Sequence, residues 1–263
     1  MAKHTTQEIV TPKNTTDNLP NRKLIQSREY ISEGVEYIEN TYEIENYGQA
    51  EWLIRKGRTD GDFRKARAMV PFEFIGKKAK DFDWSLYNCE VDIQKRIANG
   101  FIINFEKCEK AGKGLYIFSK TKGSGKTLLA SCILNELIDS RPINAKFITS
   151  LDLIELTKKG FKYESCNEDV DNIFNTRILV LDDLGVQMNK EWAETVLFRL
   201  VNHRKTSRLI TIFTSNIPVN ELRIDERISD RIFEITMPLN LPEVPIRNIK
   251  AREANAEFIK EII

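Results

Sequence analysis

The sequence predicts an α/β protein in which a parallel sheet carries helices on both faces. Three observations lead there. Continuous apolar runs at Leu115–Phe118, Ala145–Thr149, Ile178–Leu181 and Leu209–Phe213 alternate with segments whose apolar residues recur at helical spacing. Strands that lack polar alternation are the ones buried on both faces. The stretch Lys120-Thr121-Lys122-Gly123-Ser124-Gly125-Lys126-Thr127 joins the first run to a helix start, and the later runs end in Asp182-Asp183 and Thr214-Ser215-Asn216. Ligands of such sheets gather at the C-terminal strand ends, so these residues are expected to share one crevice.

In chain order, residues 1 to 22 are rich in Thr, Asn and Pro and poor in large apolar groups, which predicts a disordered tail. Glu29 to Glu51 contains seven glutamates and no Lys or Arg, while Ile31, Val35, Ile38 and Tyr42 recur at helix spacing. This predicts a small, mainly helical N-terminal region, its acidic helices either solvated or docking a partner. Arg55, Lys56, Arg58, Arg64, Lys65 and Arg67, with Gly57 and Gly61, read as a basic linker. The aromatics Phe72, Phe74, Phe82, Trp84 and Tyr87 are expected to be core rather than a base-stacking platform. One helix is expected from Asp92 to Cys108, with Ile93, Ile97, Phe101 and Phe105 on its inner face. Beyond the glycine-rich stretch, Ser150 is the expected N-cap of a helix over Leu151–Lys159, and Glu191–Arg204 is a helix with Val196, Leu197, Leu200 and Val201 inward. After Phe233 come a strand, a link interrupted by Pro238, Pro242 and Pro245, and a final helix holding Ala251, Ala254, Phe258 and Ile262.

Composition excludes more than it suggests. Lys and Arg number 40 against 39 Asp and Glu, so any nucleic-acid surface must come from local clusters and not from bulk charge. Two such clusters are Arg199, His203, Arg204, Lys205, Arg208 and Lys158, Lys159, Lys162, for which a solvated helix end is the ordinary explanation. Cys89, Cys108, Cys132 and Cys166 are widely spaced, and the chain has only two histidines, so reduced thiols and no zinc site are expected. No apolar run approaches membrane-spanning length, which makes a soluble cytoplasmic protein the default.

The glycine-rich stretch has the chemistry of a phosphate loop. Gly123 and Gly125 let backbone N–H groups close on phosphate oxygens, with Ser124 between them, and the following helix N-terminus favours the same anion. Lys126 would reach the β- and γ-phosphates, and the Thr127 hydroxyl would hold Mg²⁺. The pattern's first glycine falls on Lys120, which would be expected to weaken nucleotide affinity. Asp182 suits a Mg²⁺ ion held through water, Asp183 an attacking water, and Asn216 the γ-phosphate or that water. A plain Gly/Ser turn and a surface Asp-Asp turn are the alternatives for each feature taken alone.

These residues resemble the AAA+ ATPases of the bacterial replicative helicase loader type, DnaC/DnaI-like, and their relative IstB. The resemblance rests on the five-residue run before the loop (114–118), on GSGKT at 123–127, on 179–185, on 213–216 and on 226–232. It implies a P-loop AAA+ parallel sheet without a full lid, an ATPase domain over 66–237, a partner-docking region and linker over 23–65, and a C-terminal link and helix over 238–263. It implies ATP and Mg²⁺ as ligands, Arg231 as an arginine finger for a neighbouring subunit with Arg227 its companion, and the two able to exchange roles. A helix carrying two salt-bridged arginines is the plainer alternative for that pair. Arg247 is read as a surface arginine rather than a phosphate sensor. The partners implied are a replicative hexameric helicase, single-stranded DNA and further copies of the chain in an ATP-dependent homo-oligomer. An IstB-like transposition helper and a non-hydrolysing scaffold are the alternatives.

Overall fold

The computed structural model describes residues 22–32, 35–44, 48–55, 60–160, 164–185 and 191–262. The expected disordered tail therefore lies almost wholly outside the described residues. The chain divides into two units, Met1–Asp62 and Phe63–Ile263.

In the first unit, β1 (Arg22–Ser32), β2 (Val35–Ile44) and β3 (Gly48–Arg55) form an antiparallel meander. The acidic helices expected over Glu29–Glu51 are thus strands, and the helical reading of the N-terminal region is corrected there. The reason lies in composition. The stretch is dense in β-branched and aromatic residues, and Ile38 and Tyr42, four apart, satisfy an alternating pattern as well as a helical one. Register pairs Tyr42 with Leu24 and with Ala50, and Tyr42 is buried. On the other face Arg28 lies opposite Glu39 and forms an ion pair with it, which holds the Glu39 carboxyl below its ordinary range. Register also sets Lys23 opposite Glu43.

The boundary between the units falls within α1 (Asp60–Ala68), and 3₁₀ turns follow through Tyr87. The single helix expected over 92–108 is two: α2 (Asp92–Ile103) and α3 (Phe105–Ala111). Asn104 breaks it, turning its side-chain amide back to the Gly100 carbonyl at 3.0 Å; Phe105 is in the core as expected, whereas Ile93 is exposed and not on an inner face.

The sheet comprises β4 (Gly114–Phe118), β5 (Ala145–Thr149), β6 (Ile178–Leu184), β7 (Ile210–Ser215) and β8 (Thr236–Asn240). All pairings are parallel, in the order β5-β6-β7-β4-β8. Alternate residues of each strand enter different cores. Leu115, Ile117, Ile178 and Val180 pack with Leu129, Ile133, Leu134 and Leu137 of α4 (Lys126–Ser140) and with Phe101 and Phe105. Tyr116, Leu179, Leu181 and Phe213 pack on the opposite face. That face is covered by α5 (Ser150–Gly160), α6 (Glu164–Asn175), α7 (Glu191–Thr206) and α8 (Glu226–Ile235). Burial on both sides is the physical reason the strands read as unbroken apolar runs. After β8 the described chain holds only α9 (Ile246–Ile262).

Candidate nucleotide-binding site

The phosphate loop leaves β4 at Ser119 and enters α4 at Lys126. Gly123 and Gly125 have φ of +74° and +92°, backbone that side chains rarely adopt. A Cβ on Gly125 would sit 3.2 Å from the ring of Phe82. Phe82 and Tyr87 are buried against the outside of the loop, where the Tyr87 hydroxyl donates to the Ser124 carbonyl at 2.6 Å. The aromatics at 82–87 are therefore core, as expected, and they form the loop's backing, while Phe72 is 91% exposed.

Lys120 costs the loop no backbone strain. Among the described residues only Met69, Asn88, Asp183 and Arg208 adopt positive φ without being glycine, so the first loop position is one that a side chain can occupy. Lys126 is buried and turns into the loop, its ammonium donating to the Ser119 and Thr121 carbonyls at 3.1 and 3.0 Å and to Ser124 Oγ at 3.2 Å. Burial pushes its pKa down, opposed by the charges of Asp183, Glu243 and Asp182.

Thr127 Oγ1 lies 3.3 Å from Asp182 Oδ2, which brings one hydroxyl and one buried carboxylate to the same point. These hard oxygen donors fit Mg²⁺, which takes a few such ligands and fills the rest of its octahedron with water and phosphate. Burial raises the Asp182 pKa to about 6. The hydroxyls of Thr214 and Thr127 act against that rise, and the Asp183 charge adds to it. Thr214 donates to Asp182 Oδ1 and accepts the Asp183 N–H at 3.0 Å, so one threonine of β7 fixes both acids.

Asp183 sits where the β6–β7 register slips, with φ of +54°. Its carbonyl accepts from Ser150 Oγ at 2.8 Å. Ser150 was expected to cap α5. The cap is instead Thr149, whose Oγ1 takes the Asp152 N–H at 3.0 Å, which leaves Ser150 free to hold the Asp183 backbone. Strained backbone pinned from two sides aims the Asp183 carboxylate at the cavity.

That cavity has a volume of about 450 Å³ and is lined by Gly123, Ser124, Gly125, Lys126, Thr127, Asp183 and Asn216, with Glu73 and Phe74 among its other walls. Arg227 and Arg231 are not among its walls. Arg227 is paired with Asp225, and Arg231 donates to Asn202 Oδ1 at 3.2 Å with its guanidinium 4.8 Å from the centre of the Phe198 ring. Both therefore stand on α8, apart from their own chain's loop.

Reading the sequence missed the fourth wall. Arg247 and Lys250 of α9 line the cavity, and the Arg247 N–H donates to the Gly123 carbonyl at 2.9 Å, so Arg247 is a wall of the site and not a plain surface residue. Glu243 lies beside the loop as well, between Pro242 and Pro245, in a stretch that reads as a link because nothing local marks it. Arg204, counted in a basic cluster, is fully buried and unavailable to any surface. Among the described residues no helix is long and apolar enough to cross a membrane.

A five-stranded parallel sheet with a phosphate loop after β4, the strand between β7 and β8, paired acids on β6 and a polar end on β7 defines a P-loop AAA+ protein. The chain belongs to the family described as IstB-like ATP binding protein, whose model matches residues 49–233. Relatives include the replicative helicase loader DnaC of Escherichia coli strain K12, 30% identical over 44% of this chain and 49% of that protein. DnaI of Bacillus subtilis is 29% identical over 43% of this chain and 36% of its own length. The matches thus span about half or less of those two proteins. The DnaC of Buchnera aphidicola subsp. Baizongia pistaciae is 27% identical over 69% of this chain and 78% of its own. Among solved structures, DnaI superposes with a TM-score of 0.56 at 28% identity, covering 66% of this chain and 95% of that one. A DnaC helicase loader superposes at 0.51 and 23% identity, covering 60% and 99%, a likeness of fold.

Proposed function

We propose that this chain binds and hydrolyses ATP in order to load a replicative hexameric helicase onto single-stranded DNA. The observation that carries the proposal is the meeting of Lys126, Thr127, Asp183 and Asn216 in one cavity with Asp182 directly behind Thr127. Named relatives that are replicative helicase loaders support the choice of cargo. Lys126 leaves its carbonyl partners to neutralise the β- and γ-phosphates, and Thr127 and Asp182 would hold Mg²⁺, which would supply Lewis-acid chemistry there. Asp183 orients the water and takes its proton, and Asn216 hydrogen-bonds the γ-phosphate or that water. Arg231, with Arg227 as companion, reaches the site of a neighbouring copy, so that turnover requires a homo-oligomer. Residues 23–65 dock the helicase and 66–237 form the motor. The cytoplasm is where such a cargo resides.

The test is whether the full chain, with ATP, captures a DnaB-type hexamer and starts unwinding of a forked substrate that carries a single-stranded binding protein. Capture and unwinding that require ATP are expected. No capture, together with ATPase activity stimulated by duplex DNA, would sink the loader reading in favour of an IstB-like transposition helper.

The in-trans role has its own signature. Arg231→Ala and Asp183→Asn chains should each be inactive alone. Mixed in equal amounts they should recover about a quarter of wild-type turnover, because one interface in four then pairs an intact finger with an intact acid. A steady-state phosphate-release assay reads this. No recovery on mixing would confine Arg231 to a role within its own fold.

A further inference from the structure

We propose that Glu243, in the link between β8 and α9, is a positioning residue for Lys126. The inference rests on the nucleotide-site reading above for its consequence, and on the geometry of one peptide group for its mechanism. The peptide joining Ser119 to Lys120 is planar and trans, so its C=O and N–H point in opposite directions. Its N–H donates to Glu243 Oε1 at 2.9 Å, and its C=O accepts from the Lys126 ammonium at 3.1 Å. Glu243 Oε2 takes the Thr121 N–H at 2.5 Å and the Ser119 hydroxyl at 3.0 Å, while the Thr121 C=O accepts from Lys126 at 3.0 Å. One carboxylate outside the loop therefore fixes the direction of the Ser119 carbonyl that holds the lysine inside it, and anchors the N–H of Thr121, the residue that supplies the second carbonyl.

The strap that carries Glu243 is itself anchored on both sides. The Leu241 N–H donates to the Phe118 carbonyl at 2.8 Å, and the Arg247 N–H donates to the Gly123 carbonyl at 2.9 Å. Burial acts to raise the Glu243 carboxyl, but the donors of Thr121, Lys120 and Ser119 outweigh it and hold the group below its ordinary range. The clamp also accounts for Lys120. Where the usual loop relies on a glycine for its first turn, this one is tied down from outside by hydrogen bonds to the N–H groups of positions 120 and 121, and the Lys120 side chain is left to pair with Glu221 at 3.0 Å.

Glu243→Gln keeps the shape but presents an amide to a site that needs acceptors for three donors. Two measurements on the full-length chain test the proposal. In the first, trace acetylation by acetic anhydride without nucleotide, followed by peptide mass spectrometry, compares the reactivity of Lys126 with that of exposed Lys107. Release of the Ser119 carbonyl should raise the relative rate at Lys126 severalfold in Glu243→Gln. In the second, methylanthraniloyl-ATP should bind Glu243→Gln about fivefold more weakly, a modest effect because Glu243 has one side in water. An unchanged Lys126 rate would overturn the inference whatever the affinity. If the wild-type chain bound no ATP, the site reading would fall, yet the acetylation result would still decide whether Glu243 positions Lys126.

Discussion

Asp183→Asn should leave ATP binding within about twofold of wild type and lower turnover roughly a hundredfold or more, the usual contribution of a general base. The substitution is chosen from the backbone. Asp183 has φ of +54° and is held by Thr214 through its N–H and by Ser150 through its carbonyl. Asparagine is among the side chains that tolerate this conformation best, so the loop geometry survives and only the charge is lost. Alanine would confound the result, because a Cβ without a polar tip is strained there. The measurement is a pair of titrations, equilibrium binding of methylanthraniloyl-ATP and steady-state phosphate release. Retained binding with lost turnover assigns Asp183 to the chemical step. Retained turnover would remove it from that step and move the water-orienting role to Asn216, which also lines the cavity.

How much of this was legible in the sequence depends on how local the signal was. The phosphate loop, the acid pair and Asn216 each sit at the end of an apolar run. Parallel strands force those ends to one edge of the sheet, so order along the chain was enough to bring them together. The N-terminal meander was misread because Ile38 and Tyr42, four apart, fit both a helical and an alternating period. The density of β-branched and aromatic residues was the signal that could have decided it. Asn104 splits a helix whose apolar spacing continues across the break, and spacing alone carries no trace of that. Glu243, in a proline-rich link without periodicity, and Arg247, in the first turn of α9, lie more than a hundred residues beyond the loop they touch, so only the fold could bring them to it.

The basic cluster on α7 gives the clearest case in which charge in a sequence misleads. Arg204 is wholly buried and meets no carboxylate. Its guanidinium donates to Thr211 Oγ1 at 2.8 Å and to the carbonyls of Phe174, Thr176 and Ile210 at 3.0, 2.9 and 2.6 Å. It thereby closes the C-terminal end of α6, whose last carbonyls have no partner within the helix, and ties that end to the start of β7. Burial pushes its pKa down to about 9, which still leaves it charged at neutral pH. Arg204→Met fills similar space but strands several buried acceptors, each costing about 1–3 kcal/mol. A loss of about 3 kcal/mol or more is expected, a large share of the ~5–15 kcal/mol that holds a typical domain together. In a domain of this size that lowers the melting temperature by ~10 °C. Urea unfolding should show a lower midpoint at unchanged slope. Arg199→Ala, on the exposed face of the same helix, should leave the midpoint in place. If single-stranded DNA affinity is measured on both, a fall confined to Arg199→Ala would identify the outer face of α7 as the contact. Equal stability of Arg204→Met and wild type would mean that the α6 carbonyls find water instead, and that the arginine is not what closes this helix end.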